Sequence, residues 1–170
     1  MRESNDEDHF TALLAEHGSR LRKVTLTYGT SAEDREDLHQ EILVQLWRSF
    51  ASHDRTRPFA TWMYRVALNV AISHVRRVVR RRRNAPAMEL PLDPADPRTN
   101  DAPTDERLPI LQRLLAGLDE WERALLLLHL EERSYREIAD VLGLSESNVG
   151  TRLSRLRQRL RDLTDQEMKR

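Results

Sequence analysis

The chain has 170 residues, enough for one domain or two small ones, and it carries 28 basic and 28 acidic side chains. The absence of cysteine excludes disulfides and cysteine-based zinc sites, and it favours a reducing compartment. The acidic, polar start is unlike a signal peptide, and no apolar run is long enough to cross a membrane. We therefore expect a cytoplasmic protein that does not insert into a membrane.

The first predicted domain, residues 1–84, begins with two amphipathic helices. One lies within HFTALLAEHGSRLRKVTLTYG, and Ser31 with Asp34 is a typical start for the next. The helical spacing of the apolar residues predicts a buried stripe on each helix. The expected stripes are Phe10, Leu13, Leu14, Leu21 and Val24 in the first helix and Leu38, Ile42, Leu43, Leu46 and Phe50 in the second. The other side of the second helix carries Asp37, Gln40, Glu41, Val44 and Arg48.

The third predicted helix follows the polar loop ASHDRTRP and reads FATWMYRVALNVAISHVRRVVRRRR. Its apolar stripe is Met63, Val66, Ala67 and Val70, and its opposite face carries Trp62, Arg65, Asn69, Arg76 and Arg80. Aromatic rings and guanidinium planes stack on exposed bases, and an arginine cluster neutralises phosphates, so this face is typical of a nucleic-acid site. From this helix alone an alternative stays open, in which Trp62 is a partly buried packing residue and the arginines are solvated.

A proline-rich, acidic segment separates the two predicted domains. Five of the seven prolines lie between Pro86 and Pro103, among few apolar residues and more acids than bases. A compact domain seldom contains an unstructured loop of this length. The composition therefore predicts a linker over residues 85–107.

The last predicted domain, residues 108–170, contains four helices, which makes the chain all-α. The first, LPILQRLLAGL, ends at Gly117, and Asp119 with Glu122 forms a capping box for the second, EWERALLLLHLEE. The third and fourth lie in SYREIADVLGLSESNVGTRLSRLRQRL, where Gly143 suits a left-handed C-terminal cap and Ser145 a following N-cap. Two helices joined by so short a turn predict a helix-turn-helix motif.

The last predicted helix has a buried stripe and a polar face. The stripe consists of Val149, Leu153, Leu156 and Leu160, and the preceding helix contributes Tyr135, Ile138, Ala139 and Leu142. The polar face carries Ser147, Thr151, Ser154, Arg155 and Gln158, with Arg152 and Arg159 on one flank and Arg157 and Arg161 on the other. Short polar side chains can meet base edges in the major groove while flanking arginines meet the phosphates. The alternative is an arginine-rich surface helix with no partner.

Taken together, three stretches resemble a bacterial extracytoplasmic-function (ECF) sigma factor of the sigma-70 family, over nearly the whole chain. DLHQEILVQLW and RPFATWMYRVALNVAISHVRR resemble sigma region 2, and LDEWERALLLLHLEERSYREIADVLGLSESNVGTRLSRLRQRL resembles region 4. A lone region 4 could belong to many regulators, whereas both motif sets in this order are far more specific. The resemblance implies a protein that binds core RNA polymerase, directs it to −35 and −10 promoter elements and helps to melt the −10 region.

The resemblance also implies roles for individual residues. The β′ clamp helices of core polymerase would contact Asp37, Gln40 and Glu41, and the β flap is a second expected contact of the polymerase. The −10 element would be opened, and a flipped base captured, by residues 52–57 and the third helix, with the assigned residues Arg55, Arg57, Trp62, Arg65, Asn69, Arg76 and Arg80. The −35 element would be read by Ser147, Asn148, Thr151, Arg152, Ser154 and Arg155. An anti-sigma factor is common in the family, but no residue here proves one.

Two positions depart from the family pattern. Asp119 stands where proline is usual, which matters little because aspartate caps a helix well. Gly150 stands where a basic residue is common, which weakens one DNA contact and leaves the exact −35 preference open.

Other function classes are less well supported by the residues. The six histidines (His9, His17, His39, His53, His74 and His129) show no metal-binding spacing such as HExxH, and no catalytic cluster is evident. We therefore expect no enzyme activity, no metal and no cofactor, and we expect His74 to be a satisfied core histidine. The alternatives are a helix-turn-helix regulator that works without polymerase and an adaptor that only binds a partner protein.

Overall fold

The computed structural model of the chain describes residues 2–84 and 114–168. The chain divides into two compact units, Met1–Asp96 and Pro97–Arg170. Within the described ranges the regular structure is helical and no strand is present, which confirms the all-α prediction. None of the helices described is long and apolar enough to span a bilayer. The predicted linker at 85–107 lies outside the described residues.

The first unit contains three helices, α1 (Arg2–Tyr28), α2 (Ala32–Phe50) and α3 (Phe59–Asn84). The α1–α2 connection is tight because a Cβ on Gly29 would lie 2.5 Å from Cγ of Arg35, so only glycine fits there. Ser31 then caps α2, and its side chain accepts a hydrogen bond from the Asp34 amide at 3.1 Å. This is the predicted start of the second helix.

Each of these three helices packs against the other two. The two predicted stripes are correct at Phe10, Leu21, Val24, Leu38, Ile42, Leu46 and Phe50, while Leu13, Leu14 and Leu43 are half-buried. The predicted stripe of α3 is too narrow: Met63 and Ala67 are buried and Val66 and Val70 half-buried, but the core also includes Tyr64, Leu68, Ala71 and Ile72. The reason is that α3 contacts both α1 and α2, so it buries two adjacent stripes.

The second unit begins, in its described part, with helical residues 114–116 that end at Gly117. Three helices follow, α4 (Glu120–Leu130), α5 (Tyr135–Leu142) and α6 (Glu146–Met168). The predicted capping box of Asp119 and Glu122 is present at α4. A second box, which the sequence reading did not include, joins Ser134 to Glu137 at α5.

The core of the second unit lies between α4, α5 and α6, each of which packs against the other two. It contains Leu118, Ala124, Leu125, Leu127, Leu128, Ile138, Ala139, Val141, Val149, Leu153 and Leu156. The prediction was wrong for Tyr135, which is 40% exposed, because this residue starts α5 at the edge of the packed surface. Val141 is buried instead, and Leu142 and Leu160 are half-buried.

Candidate functional site

The helix-turn-helix is built as the sequence predicts. Gly143 has φ of 69°, the left-handed conformation, and the Leu144 amide donates back to the Ala139 carbonyl at 3.0 Å. The Ser145 hydroxyl then accepts a hydrogen bond from the Asn148 amide at 3.2 Å and so caps α6, which begins at Glu146. Local capping therefore fixes the angle at which α6 leaves the turn.

The predicted −35 residues share the outer side of α6. The exposed side chains are Ser147, Asn148, Thr151, Arg152, Ser154 and Arg155. Three of these side chains have partners within the helix, since Arg152 Nε donates to Asn148 Oδ1 at 2.9 Å and the Thr151 hydroxyl donates to the Ser147 carbonyl at 3.1 Å. Arg155 has no polar partner among residues 2–84 and 114–168, so its guanidinium is available to a ligand.

The flanking arginines do not behave alike. Arg159 donates to both carboxylate oxygens of Glu122, at 2.8 and 3.0 Å, and to the Gly117 carbonyl at 2.8 Å. Arg157 lies 3.3 Å from the His129 ring. Arg159 is therefore already paired in the free protein, where its side chain holds α6 against the start of α4, and its expected contact with phosphate stays a prediction.

Beside the polar face of α6 lies a groove that the sequence reading did not identify. It has a volume of about 540 Å³ and an apolar wall of Trp121, Leu125, Leu142, Leu144 and Leu156. Its polar rim is formed by Asp119, Glu122, Asn148, Arg152 and Arg155. A sequence signal existed, because Trp121 stands three, four and seven positions before Ala124, Leu125 and Leu128 and so extends the apolar stripe of α4 to the start of the helix.

The predicted −10 residues lie on the loop before α3 and on α3 itself. Arg65, Asn69, Arg76 and Arg80 are exposed along the helix. Trp62 is half-buried, and its ring packs on His53 at 4.7 Å and on Phe59 at 5.3 Å between centroids. In the free protein Trp62 is thus a packing residue, the alternative that the sequence left open, and stacking on a base would require its exposed edge or a rearrangement of this aromatic cluster.

The loop itself is ordered by short polar contacts. Asp54 accepts from the Thr56 hydroxyl at 2.7 Å and the Thr56 amide at 3.0 Å, and these hydrogen bonds lower the pKa of the Asp54 carboxyl. Arg55 pairs with Asp6 of α1 at 2.6 Å, and Arg57 lies 3.7 Å from Asp54. Both loop arginines expected at the −10 element are therefore held by carboxylates.

The three residues expected to contact polymerase lie on one side of α2. Asp37 and Gln40 are exposed, whereas the Glu41 side chain is 38% exposed and binds Arg77 Nη2 at 2.6 and 2.8 Å. The hydrogen bond from Arg77 lowers the pKa of Glu41. Glu41 thus already has a partner on another helix, whereas Asp37 is exposed. Further along α2, Val44 and Trp47 are 48% and 46% exposed and form an apolar surface beside these three residues.

A histidine completes the contacts around Glu41. His74 Nε2 lies 2.7 Å from Asp34 Oδ1, and its other ring nitrogen lies 3.6 Å from Glu41. Burial opposes ionisation of Asp34, but hydrogen bonds from Thr30 and His74 outweigh it and lower the pKa of the Asp34 carboxyl. His74 is half-buried with polar partners, which agrees with the expectation of a satisfied histidine.

Comparisons with known proteins agree with both units. The model of sigma-70 region 2 matches residues 13–82, and that of sigma-70 region 4 matches residues 108–160. The ECF RNA polymerase sigma factor SigE of Mycolicibacterium smegmatis is 33% identical over 153 residues, which cover 88% of this chain and 59% of SigE. The RNA polymerase sigma factor CnrH of Cupriavidus metallidurans is 30% identical over 175 residues, which cover 95% of this chain and 90% of CnrH.

A solved structure shares the fold. The sigma factor RpoE in complex with the anti-sigma factor NepR, from Bartonella quintana, superposes with a TM-score of 0.73 at 20% identity, covering 92% of this chain and 97% of RpoE. The two region matches in order, and the similarity to nearly the full length of CnrH, show that the chain belongs to the ECF group of the sigma-70 family of RNA polymerase sigma factors.

Proposed function

We propose that the chain binds core RNA polymerase, directs it to −35 and −10 elements and helps to melt the −10 region. The observation that carries the proposal is the presence, in one chain, of an exposed polar face on α6 and a carboxylate-bearing side of α2. The polar face of α6 suits DNA. The carboxylates of α2 repel DNA, so that side of the helix is suited to a basic protein partner. A sigma factor needs both, whereas a regulator that works without polymerase needs only the first.

For the −35 element we propose that α6 lies in the major groove. Val149, Leu153 and Leu156 are at most 3% exposed, so they fix the opposite side of the helix toward solvent. On that side Arg155 has no polar partner among the described residues, and a bidentate contact with guanine is the commonest specific contact of an arginine. Thr151 and Ser154 supply short polar side chains beside it. Gly150 contributes no side chain to this side of α6, so the proposed contact with base edges is limited to Thr151, Ser154 and Arg155.

For the −10 element we propose that α3 binds the unwound strand. Asn69 and Arg65 stand exposed on the helix, and Trp62 lies one or two turns before them beside His53. Burial lowers the pKa of His53, which favours the neutral ring and leaves an aromatic platform without an added charge. A flipped base would stack at the edge of this platform, while Arg76 and Arg80 bind phosphates.

For core polymerase we propose that the β′ clamp helices bind α2 through Asp37, Gln40 and Glu41. The exposed Val44 and Trp47 lie further along the same helix and would add apolar area around the charged contacts. The β flap is proposed as the partner of the second unit, where the groove beside α6 offers an apolar wall.

We also propose an anti-sigma factor as a regulator of this chain. RpoE of Bartonella quintana, which shares its fold, is solved in complex with the anti-sigma factor NepR. The groove beside α6 supports this proposal, because a helix bound there would lie against Arg152 and Arg155.

Transcription with purified core polymerase tests the proposed function. Core alone and core with the chain are supplied with genomic DNA, and the 5′ ends of the transcripts are mapped. We expect a new set of start sites preceded by shared −35 and −10 sequences. An unchanged set of start sites, with the chain folded, would contradict the proposal.

A further inference from the structure

Arg77 stands out because it connects the side of α2 assigned to polymerase with the helix assigned to promoter DNA. Its Nη2 contacts both oxygens of Glu41, at 2.8 and 2.6 Å, although Arg77 itself belongs to α3. Asp37 and Gln40 have no side-chain hydrogen bond to any residue of 2–84 and 114–168. Of the three side chains assigned to polymerase, Glu41 is thus the one already bound by a cation.

The contact is held in place by neighbouring groups. Arg77 Nη2 also lies 3.5 Å from His74 Nδ1, and the other nitrogen of that ring binds Asp34 at 2.7 Å. Asp34 in turn accepts from the Thr30 amide at 2.7 Å. This chain of contacts orients the His74 ring and gives Arg77 a defined position over Glu41, rather than the loose geometry of a typical surface ion pair.

We propose that Arg77 exchanges partners during initiation and thereby couples polymerase binding to promoter binding. In the free protein Arg77 neutralises Glu41, so a basic surface of polymerase must compete with it for the carboxylate. Once displaced, the guanidinium lies one turn from Arg81 on the basic end of α3 and binds a promoter phosphate. Arg77 would thus bind Glu41 in the free protein and a promoter phosphate in the initiation complex. The inference rests on the proposed function of the α2 and α3 surfaces.

The first test is the affinity of fluorescently labelled full-length chain for core polymerase. Arg77→Gln should bind core about two- to fivefold more tightly than the wild type, because the internal competitor is gone. Arg81→Gln is the matched control: it removes the same charge one turn along α3, from an exposed side chain without a polar partner among the described residues. It should bind core as the wild type does.

Two further measurements test the exchange. In a Glu41→Gln background, adding Arg77→Gln should not change core affinity, because the carboxylate for which Arg77 competes with polymerase is already absent. For the assembled complex on promoter DNA, Arg77→Gln should lower the slope of log affinity against log salt by about one, the effect of one lost phosphate contact. A circular-dichroism melt confirms that each variant is folded.

The outcomes separate this inference from the function on which it rests. Core binding by the wild type with equal affinity for Arg77→Gln and Arg81→Gln would overturn the inference and leave the sigma-factor function intact. Tighter binding by Arg77→Gln with an unchanged salt slope would also overturn it, because the guanidinium would not then move to DNA. Failure of the wild type to bind core would overturn both.

Discussion

Helix α6, which we propose reads DNA, and the side of α2 that we propose binds polymerase both present polar side chains, but these side chains differ in whether they already have a partner. On α6 the key cation, Arg155, has no polar partner within the described ranges, and its helix is anchored by a buried stripe. On α2 the key carboxylate, Glu41, is already paired with Arg77 from another helix. A contact with α6 is therefore a simple addition, whereas a contact with Glu41 is an exchange. Substitutions should weaken binding at the first surface and can strengthen it at the second.

The largest expected effect is at α2. Reversing two charges with Asp37→Lys and Glu41→Lys replaces attraction to a basic partner by repulsion, and like charges across an interface cost several kcal/mol. Association with core polymerase and promoter-specific transcription should both be lost. Co-purification with core measures the first, and run-off transcription the second.

A control is needed because Glu41 has internal partners. A lysine at 41 would face Arg77 and His74, so the double variant should also lose some stability. Asp37→Lys alone touches an exposed side chain and should keep the wild-type melting temperature while it weakens core binding. Wild-type core affinity in a folded Asp37→Lys protein would remove Asp37 from the interface.

At α6 the expected effect is smaller and has one sign. Arg155→Ala should reduce affinity for a cognate promoter by about 1–3 kcal/mol, the value of a base contact, with little change in stability. Arg159→Ala is the informative comparison, since it removes the contacts to Glu122 and Gly117 and should lower the melting temperature of the second unit. Full promoter use by a folded Arg155→Ala protein would show that Arg155 does not contact the −35 element.

Strand opening at the −10 element is tested on α3. Asn69→Ala should weaken transcription from duplex promoters and recover partly on templates with a pre-melted bubble, because flipping a base costs a few kcal/mol that the bubble no longer requires. Asn69 is the cleaner variant because it is exposed, whereas Trp62→Ala would also disrupt packing on His53 and Phe59. Equal defects on both templates would indicate a duplex contact instead.

The smallest predicted effect concerns the cap of α5 and depends on pH. Ser134→Ala removes the N-cap and should destabilise the helix-turn-helix by about 1 kcal/mol at neutral pH. The Ser134 amide lowers the pKa of Glu137 below its ordinary value of 4.5, despite the opposing effect of burial. Because the pKa of Glu137 is lower in the folded than in the unfolded state, its carboxylate stabilises the folded state at a pH above the unfolded-state pKa. This stabilisation is lost as the pH falls through the folded-state pKa.

The matching variant isolates that carboxylate. Glu137→Gln should be less stable than the wild type near neutral pH, and the difference should shrink as the pH falls below the ordinary glutamate pKa of 4.5 and through the lowered pKa of Glu137. Because Glu137 is 39% exposed, the whole effect should stay below about 1 kcal/mol. Amide hydrogen exchange of α5 is the measurement, and a difference that does not vary with pH would contradict the assignment.

Local features of the chain could be predicted, and contacts between distant residues could not. The end of α5 at Gly143 and the start of α6 after Ser145 depend on a few adjacent residues, so the pattern specifies them. The ion pairs Arg77–Glu41 and Arg159–Glu122 join residues 36 and 37 positions apart. No periodicity encodes such a pair, because it depends on the register in which two helices pack.

The same limit explains what could not be predicted at the two surfaces that we propose bind DNA. Helical spacing places Trp62 outside the predicted buried stripe of α3, but residues 51–58 fold back and bring His53 against the ring. The groove beside α6 likewise requires Trp121, Leu142 and Leu156 from three helices to converge. The types of residue in each site were evident from the sequence, but whether each one is free or engaged was not.

The central claim is that this chain recognises promoters as a subunit of polymerase. It is tested most directly by measuring the affinity for one promoter fragment, identified by transcript mapping, of the chain alone and of the chain bound to core. The account predicts weak, salt-sensitive binding by the chain alone and strong, sequence-specific binding only with core present. Equally strong and specific binding by the chain alone would contradict it and identify a regulator that acts without polymerase.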